Sequence, residues 1–130
     1  MNNKLFVYGT LRNGSIQHYV PQVAAYIQFI ANGFVYGKLF DAGEYPAAIK
    51  HNEIKLYGEL LEIVPDKLDK VLMVLDKYED FNVQSPEQSL FIRAITEVFT
   101  DDNQQCSANI YWYNNNTESL KVIEGGIYRK

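Results

Sequence analysis

One carboxylate interrupts the apolar face of the most regular segment of the sequence. The segment from Pro65 to about residue 79 predicts a helix whose apolar side chains fall on one narrow stripe. The stripe consists of Leu68, Val71, Leu72 and Leu75. Glu79 follows Leu68 by a rotation of ~1100°, which returns it to within ~20° of the centre of the stripe. The spacing therefore predicts a carboxyl on the buried side of the helix.

A carboxyl in that position is suited to moving protons. Burial disfavours its charged form, and the partial negative charge at a helix C-terminus disfavours an anion there as well. Both effects would raise the pKa of Glu79 toward neutrality, where general acid–base catalysts work best. Two other interpretations stand beside this one. The helix ends early and Glu79 turns into solvent, or the side chain is buried in an ion pair with Arg93.

The second candidate is the loop that follows the first apolar strand. Gly9 comes directly after Val7-Tyr8 and lacks the Cβ that would keep a ligand away from the backbone. Consecutive amides of Gly9, Thr10 and Leu11 can form an anion-binding concavity. The other interpretation is an ordinary turn at the end of a strand.

Composition limits the kind of domain that carries these residues. A length of 130 residues favours one domain over 1–130, and 47% apolar with 22% charged residues is typical of globular chains. The net charge of −4 argues against a nucleic-acid partner, whose phosphates need clustered Lys and Arg. A lone cysteine, Cys106, excludes an internal disulfide and a Cys-rich zinc site, and we expect no metal site.

Targeting and membrane signals are also missing from the sequence. The apolar run Leu5–Tyr8 is too short for a secretory signal. Residues 13–37 carry no charge, but polar side chains interrupt them too often for a membrane span. We therefore expect a cytoplasmic protein without a membrane partner.

The elements that must position the candidate residues are several strands with two helices between them. Strands are predicted over 4–8, 34–40, 54–63, 90–99 and 106–113, and helices over 16–30 and 65–79. Residues 44–50 are extended around Pro46, which favours a sheet edge or a loop. Gly58 marks a bulge or a close approach of backbone. This order predicts an α+β domain, a curved sheet or small barrel with helices at its side.

Several short motifs occur in the order found in one known family. Tyr8-Gly9-Thr10-Leu11-Arg12 resembles the signature loop of the γ-glutamylcyclotransferase-like family, in the AIG2-like branch that includes γ-glutamylamine cyclotransferases. Four further segments resemble its other motifs, the last with Phe in place of Tyr. They are Gly37–Ala47, Tyr57–Leu60, Leu75–Glu79 and Phe91–Arg93. Together the matches run from residue 5 to about residue 113.

The resemblance implies a fold and a reaction. The fold is a small mixed β-barrel flanked by helices. The reaction converts a γ-glutamyl amine or γ-glutamyl amino acid to 5-oxoproline and releases the amine. By analogy, Tyr8 to Leu11 would hold the γ-glutamyl group and Glu79 would be the general base and acid. No cofactor is needed, and the expected partner is a small-molecule γ-glutamyl substrate.

Three further side chains are candidates for substrate binding. Arg12 can meet a substrate carboxylate, although a solvated loop arginine is the common case. Tyr45 lies beside Pro46 in a matched motif and is expected at the mouth of the pocket. Tyr113 ends the last strand and either lines the pocket or belongs to the core.

Arg93 is a charged residue on an otherwise apolar predicted strand. Arg93 is expected to be structural, with Glu59, Glu79 or Glu97 as the partner that a buried arginine needs.

The alternative function is a non-catalytic domain on the same barrel, which binds a small molecule or a protein without turning it over.

Overall fold

The computed structural model describes residues 1–12 and 14–129. These residues form six strands and two α-helices. In chain order they are β1 (Lys4–Val7), α1 (Ile16–Tyr19), β2 (Ile27–Asp41), β3 (Pro46–Ile63), α2 (Leu68–Tyr78), β4 (Phe91–Thr100), β5 (Gln105–Tyr113) and β6 (Lys121–Val122). None of the described helices is long and apolar enough to cross a membrane.

Five of the strands close into a barrel. The order around the sheet is β3-β1-β5-β4-β2, and β2 pairs with β3 to complete the ring. β1 runs parallel to β5, with Leu5 opposite Asn109, whereas the other neighbours are antiparallel. β6 adds to β2 at one end, with Val122 opposite Phe40. The predicted mixed barrel flanked by helices is therefore confirmed.

Alternate side chains of β1 and of Tyr8, which follows it, divide the core into two layers. Phe6 and Tyr8 belong to a cluster that fills the barrel, together with residues such as Leu56, Ile110 and Trp112. Leu5 and Val7 belong to an outer cluster that α2 covers.

The outer layer fixes the position of α2. The predicted stripe of Leu68, Val71, Leu72 and Leu75 is buried in this layer against β1. Full burial of one such side chain stabilises the fold by roughly 1.5–3 kcal/mol. The stripe therefore holds the C-terminal end of α2 beside the end of β1.

One predicted element is wrong over part of its length. The helix expected over 16–30 is limited to α1, and residues from Ile27 onward form the start of β2. Ile27 pairs with Ile63, and Phe29 pairs with Leu61. This long-range pairing with β3 overrides the local helical pattern, which contains no information about distant partners.

A second difference concerns the two segments predicted on either side of residue 51. They form the single strand β3, and the register against β2 shifts between Tyr36 and Gly37. The backbone approach expected at Gly58 is confirmed, because a Cβ there would lie 2.2 Å from the carbonyl oxygen of Val7. Only glycine allows β1 and β3 to pack this closely.

Candidate active site

The end of α2 holds Glu79 in a defined place. The amide of Phe81 donates to the carbonyl of Asp76 at 2.8 Å, and the amide of Asp80 donates to the carbonyl of Lys77 at 3.2 Å. Asp80 has a φ of 56°, in the left-handed region. Together these features form a Schellman motif, which ends a helix sharply. Glu79 is the last residue before the chain turns away.

The Glu79 side chain lies at a pocket rather than in open solvent. Burial raises the pKa of its carboxyl to about 7, although the residue as a whole is partly exposed. The C-terminal end of α2 acts in the same direction, because its partial charge is negative. Within residues 1–12 and 14–129, no side chain donates a hydrogen bond to this carboxylate or forms an ion pair with it. The predicted inward orientation is therefore supported by both burial and helix geometry.

Arg93, one of whose expected partners is Glu79, instead forms an ion pair with Asp76, one turn earlier on α2. Arg93 donates from Nε to Oδ1 of Asp76 at 2.9 Å and from Nη2 to Oδ2 at 3.3 Å. The hydroxyl of Tyr111 donates to the same Oδ1 at 2.6 Å. The structural role predicted for Arg93 is confirmed, but its partner is Asp76 and none of the three glutamates expected from the sequence.

A cavity of about 310 Å³ joins Glu79 to the N-terminal loop. A volume of this order suits a small ligand. Its lining includes most of the residues predicted from the sequence, namely Tyr8, Gly9, Thr10, Leu11, Tyr45 and Glu79. The described residues contain no group of three His, Cys, Asp or Glu side chains that is arranged to hold a metal ion.

The loop that forms one wall of this cavity is tightly packed. A Cβ on Gly9 would lie 2.4 Å from Cγ of Pro46, so the loop and the hairpin between β2 and β3 meet at a glycine. The amide of Arg12 donates to the carbonyl of Gly9 at 3.2 Å, which closes the turn. The amides of Gly9, Thr10 and Leu11 have no acceptor in the described part of the chain, and all three residues line the cavity.

Two predicted binding residues lie beside the cavity rather than in its lining. The guanidinium of Arg12 donates to the carbonyl of Tyr128. The ring of Tyr113 packs on Phe91 with centroids 5.6 Å apart, and Phe91 in turn packs on Tyr45 at 5.8 Å. Tyr113 thus supports an aromatic wall of which Phe91 and Tyr45 line the cavity.

Three tyrosines that line the cavity are not candidates from the sequence, namely Tyr19, Tyr78 and Tyr111. The hydroxyls of Tyr78 and Thr10 are hydrogen-bonded at 3.1 Å and join the end of α2 to the loop. Tyr111 lines the cavity from β5. Burial raises the pKa of Tyr8 and Tyr111, and the charge of Glu79 adds to the effect. The ten tyrosines of the sequence indicate half-polar cavities but not which rings form them.

Comparison with known proteins identifies relatives of this chain. The family model described as gamma-glutamyl cyclotransferase, AIG2-like, matches residues 5–130. Among solved structures, YkqA from Bacillus subtilis is 27% identical with a TM-score of 0.63. The match covers 98% of this chain but only 40% of that protein. The comparison with curated proteins found no match.

More distant structures share the fold. An AIG2-like protein from Mus musculus is 22% identical with a TM-score of 0.73, and the match covers 99% of this chain and 95% of that one. PH0828 from Pyrococcus horikoshii is 19% identical with a TM-score of 0.59, over 95% of this chain and 87% of that one. Because the family model spans nearly the whole sequence, the chain belongs to the gamma-glutamyl cyclotransferase, AIG2-like family.

Proposed function

We propose that this chain converts a γ-glutamyl amine or γ-glutamyl amino acid to 5-oxoproline and a free amine, with Glu79 as general base and acid. The observation that carries the proposal is the single cavity lined by both Glu79 and the loop Gly9–Leu11. Membership of the family supports the type of reaction. The individual steps follow from the chemistry of the two walls.

The first step produces a neutral nucleophile. The carboxylate of Glu79 takes a proton from the α-ammonium group of the substrate, and the freed nitrogen attacks the γ-carbonyl carbon. With a pKa of about 7, the carboxyl is a stronger base than an exposed glutamate, and both its ionised and its protonated forms are well populated at neutral pH. Attack within one molecule avoids most of the entropic cost, since effective molarities reach ~10⁵–10⁸ M.

The second step expels the amine. Glu79 gives its proton to the leaving nitrogen and takes a second proton from the ring nitrogen. The carbonyl then re-forms, and the bond between the γ-carbon and the leaving nitrogen breaks. The second proton passes to the released amine or to water. The amides of Gly9, Thr10 and Leu11 are suited to bind either the α-carboxylate or the oxyanion that forms at the γ-carbonyl.

The test is a product assay with a matched pair of variants. A panel of γ-glutamyl amines and γ-glutamyl amino acids is incubated with the protein, and 5-oxoproline is measured by mass spectrometry. Glu79→Gln keeps the shape but removes the titrating proton, so we expect kcat/KM to fall ~100-fold or more. Asp80→Asn makes the equivalent change one residue further on, outside the lining of the cavity, and is expected to leave turnover unchanged.

Two results would count against the proposal. Undiminished turnover by Glu79→Gln would remove its assigned role. No turnover of any panel member, combined with tight binding of a γ-glutamyl compound, would instead favour a non-catalytic binding domain.

A further inference from the structure

A second cavity lies on the outer face of the barrel, apart from the cavity that Glu79 lines. Its volume is about 440 Å³, which is enough for a small organic ligand. Lys55 and Tyr57 line it on either side of Leu56, which fills the barrel interior, so their side chains point away from the interior. The two cavities share no lining residue.

The turn after β6 forms the wall of this cavity that faces the two strands. The amide of Ile123 donates to the carbonyl of Leu39 at 2.8 Å, which attaches the start of the turn to β2. A Cβ on Gly126 would lie 2.1 Å from the carbonyl oxygen of Lys55, so the end of the turn packs directly on β3. Backbone contacts with both strands therefore hold the wall in place.

Two lysines give this cavity a positive charge. Lys38 from β2 and Lys55 from β3 both line it, and neither forms an ion pair in the described part of the chain. Their ammonium groups lie over aromatic rings instead, 5.4 Å from the centroid of Phe40 and 4.5 Å from that of Phe34. Two ammonium groups against the carboxylate of Glu124 leave a charge of +1 at the lining, in a chain whose net charge is −4.

The turn adds backbone donors to the two ammonium groups. The amides of Glu124 and Gly125 have no acceptor within residues 1–12 and 14–129, and both residues line the cavity. Ammonium and amide N–H groups are donors only, and lysine is a common partner of phosphate oxygens. Ile54 and Ile123 add apolar side chains, and Tyr57 is 38% exposed. The cavity therefore combines donors for an anion with an apolar surface.

We propose that this cavity is a second ligand site and that it binds a phosphate monoester carrying an aromatic group. In this assignment the two lysines and the two amides hold the phosphate, and Tyr57 and Ile54 contact the aromatic group. A phosphate monoester carries nearly two negative charges at neutral pH, so it gains more than a carboxylate from two ammonium groups. The carboxylate of Glu124 opposes any anion, so its removal is expected to tighten binding.

The test compares three small probes by NMR. Phenyl phosphate has both features, inorganic phosphate lacks the ring, and benzoate has the ring with a single negative charge. Spectra of the ¹⁵N-labelled protein are recorded during each titration, and the amides of Glu124 and Gly125 report on this cavity separately from the one at Gly9. We expect phenyl phosphate to shift both amides and to bind ~10-fold more tightly than either other probe.

Matched variants identify the groups that hold the phosphate. Lys38→Gln and Lys55→Gln each remove one ammonium group and should weaken binding of phenyl phosphate ~10-fold, the effect of one charge-assisted hydrogen bond. Glu124→Gln should tighten it. Lys70→Gln is the control, because Lys70 lies outside the lining but also has its ammonium group over an aromatic ring. The affinity of this control should stay within ~2-fold of the wild-type value.

The outcomes separate a built site from general attraction of anions. Shifts of the two amides, with losses of affinity confined to Lys38→Gln and Lys55→Gln, would support the proposal. An equal loss in Lys70→Gln would overturn it, and so would equal affinity for phenyl phosphate and either other probe, or no shift of either amide at millimolar phenyl phosphate. The same spectra show whether each variant is folded. Turnover of γ-glutamyl compounds does not enter the measurement, so the result is independent of the proposed function.

Discussion

Two carboxylates lie one turn apart at the end of α2 and have opposite surroundings. Asp76 accepts three hydrogen bonds, two from Arg93 and one from Tyr111. Glu79 accepts none from the described side chains, and burial raises its pKa to about 7. Donors stabilise the charged form of a carboxylate, and burial without donors destabilises it. Neighbours rather than residue type therefore make one carboxyl structural and suit the other to the proton transfer proposed above.

The difference arises from what lies beside each side chain. Asp76 sits within the helix, where β4 and β5 supply Arg93 and Tyr111. Glu79 follows the last helical residue and lines the cavity together with the loop after β1. The Schellman motif at Asp80 ends α2 at that point, so Glu79 remains on the cavity side.

The largest expected effect is on stability at high pH. The carboxyl of Glu79 has a pKa near 4.5 when unfolded and about 7 when folded, so the folded state binds the extra proton between these values. The stability that this proton contributes is complete below pH 4.5 and is lost as the pH rises through 7. Glu79→Gln removes this loss. At pH 8–9 the free energy of unfolding of the variant should therefore be about 3 kcal/mol higher than that of the wild-type protein.

Urea denaturation at several pH values measures this difference. The two proteins should be equally stable near pH 4, and the gap should open between pH 4.5 and 7. A gap that is constant across the whole range would show that Glu79 titrates alike in the folded and unfolded states.

Removal of the Asp76 carboxylate should lower the free energy of unfolding, whereas removal of the Glu79 carboxylate should raise it. Asp76→Ala leaves Arg93 and Tyr111 without their acceptor, and we expect a loss of about 2 kcal/mol because the ion pair is only partly exposed. Asp69→Ala, on an exposed position of the same helix, should cost less than about 1 kcal/mol. Equal effects of the two substitutions in chemical denaturation would contradict a structural role for Asp76.

The wall opposite Glu79 can be tested with a glycine pair. Gly9→Ala forces a Cβ against Pro46 and should cost about 1–2 kcal/mol and weaken binding of γ-glutamyl ligands. Gly43→Ala has open space around the new Cβ but a φ of +95°, so it should cost about 1 kcal/mol through backbone strain alone. If ligand affinity falls equally in both variants, the close packing at Gly9 does not shape the cavity.

The smallest expected effect concerns the end of the helix. Asp80 occupies a left-handed conformation that glycine adopts without strain. Asp80→Gly should therefore raise the free energy of unfolding by up to about 1 kcal/mol and leave turnover unchanged, because Glu79 keeps its place. A large loss of activity would mean that the carboxylate of Asp80 itself takes part.

The sequence predicts one of the two carboxylates and not the other. The inward position of Glu79 follows from its spacing to Leu68, which depends only on local helical geometry. The pairing of Asp76 depends on which strand lies beside the polar flank of α2, and Arg93 and Tyr111 are distant in the chain. A helical pattern gives the angle between side chains on one helix but not the identity of the neighbour that meets them.

The fold, too, is predicted from the sequence only where it depends on local patterns rather than on distant partners. The strands around Leu5, Ile92 and Ile110 are apparent from their apolar runs, and the resemblance to a known family supplies the barrel. The start of β2 at Ile27 is missed because its extended conformation is set by pairing with Ile63. The sequence offers Arg12 as a ligand for the substrate carboxylate, which stays a prediction, but it does not indicate the hydrogen bond from the guanidinium to the carbonyl of Tyr128.

The most direct test of the difference between the two carboxylates is the titration of Glu79 itself. The protein is labelled with ¹³C at the glutamate side-chain carboxyls, and the Glu79 resonance is assigned by its absence from Glu79→Gln. We expect its midpoint near pH 7, the value to which burial raises this carboxyl. A midpoint near 4.5, the ordinary value for glutamate, would show that Glu79 is solvated and would contradict its proposed role as the proton-transferring group.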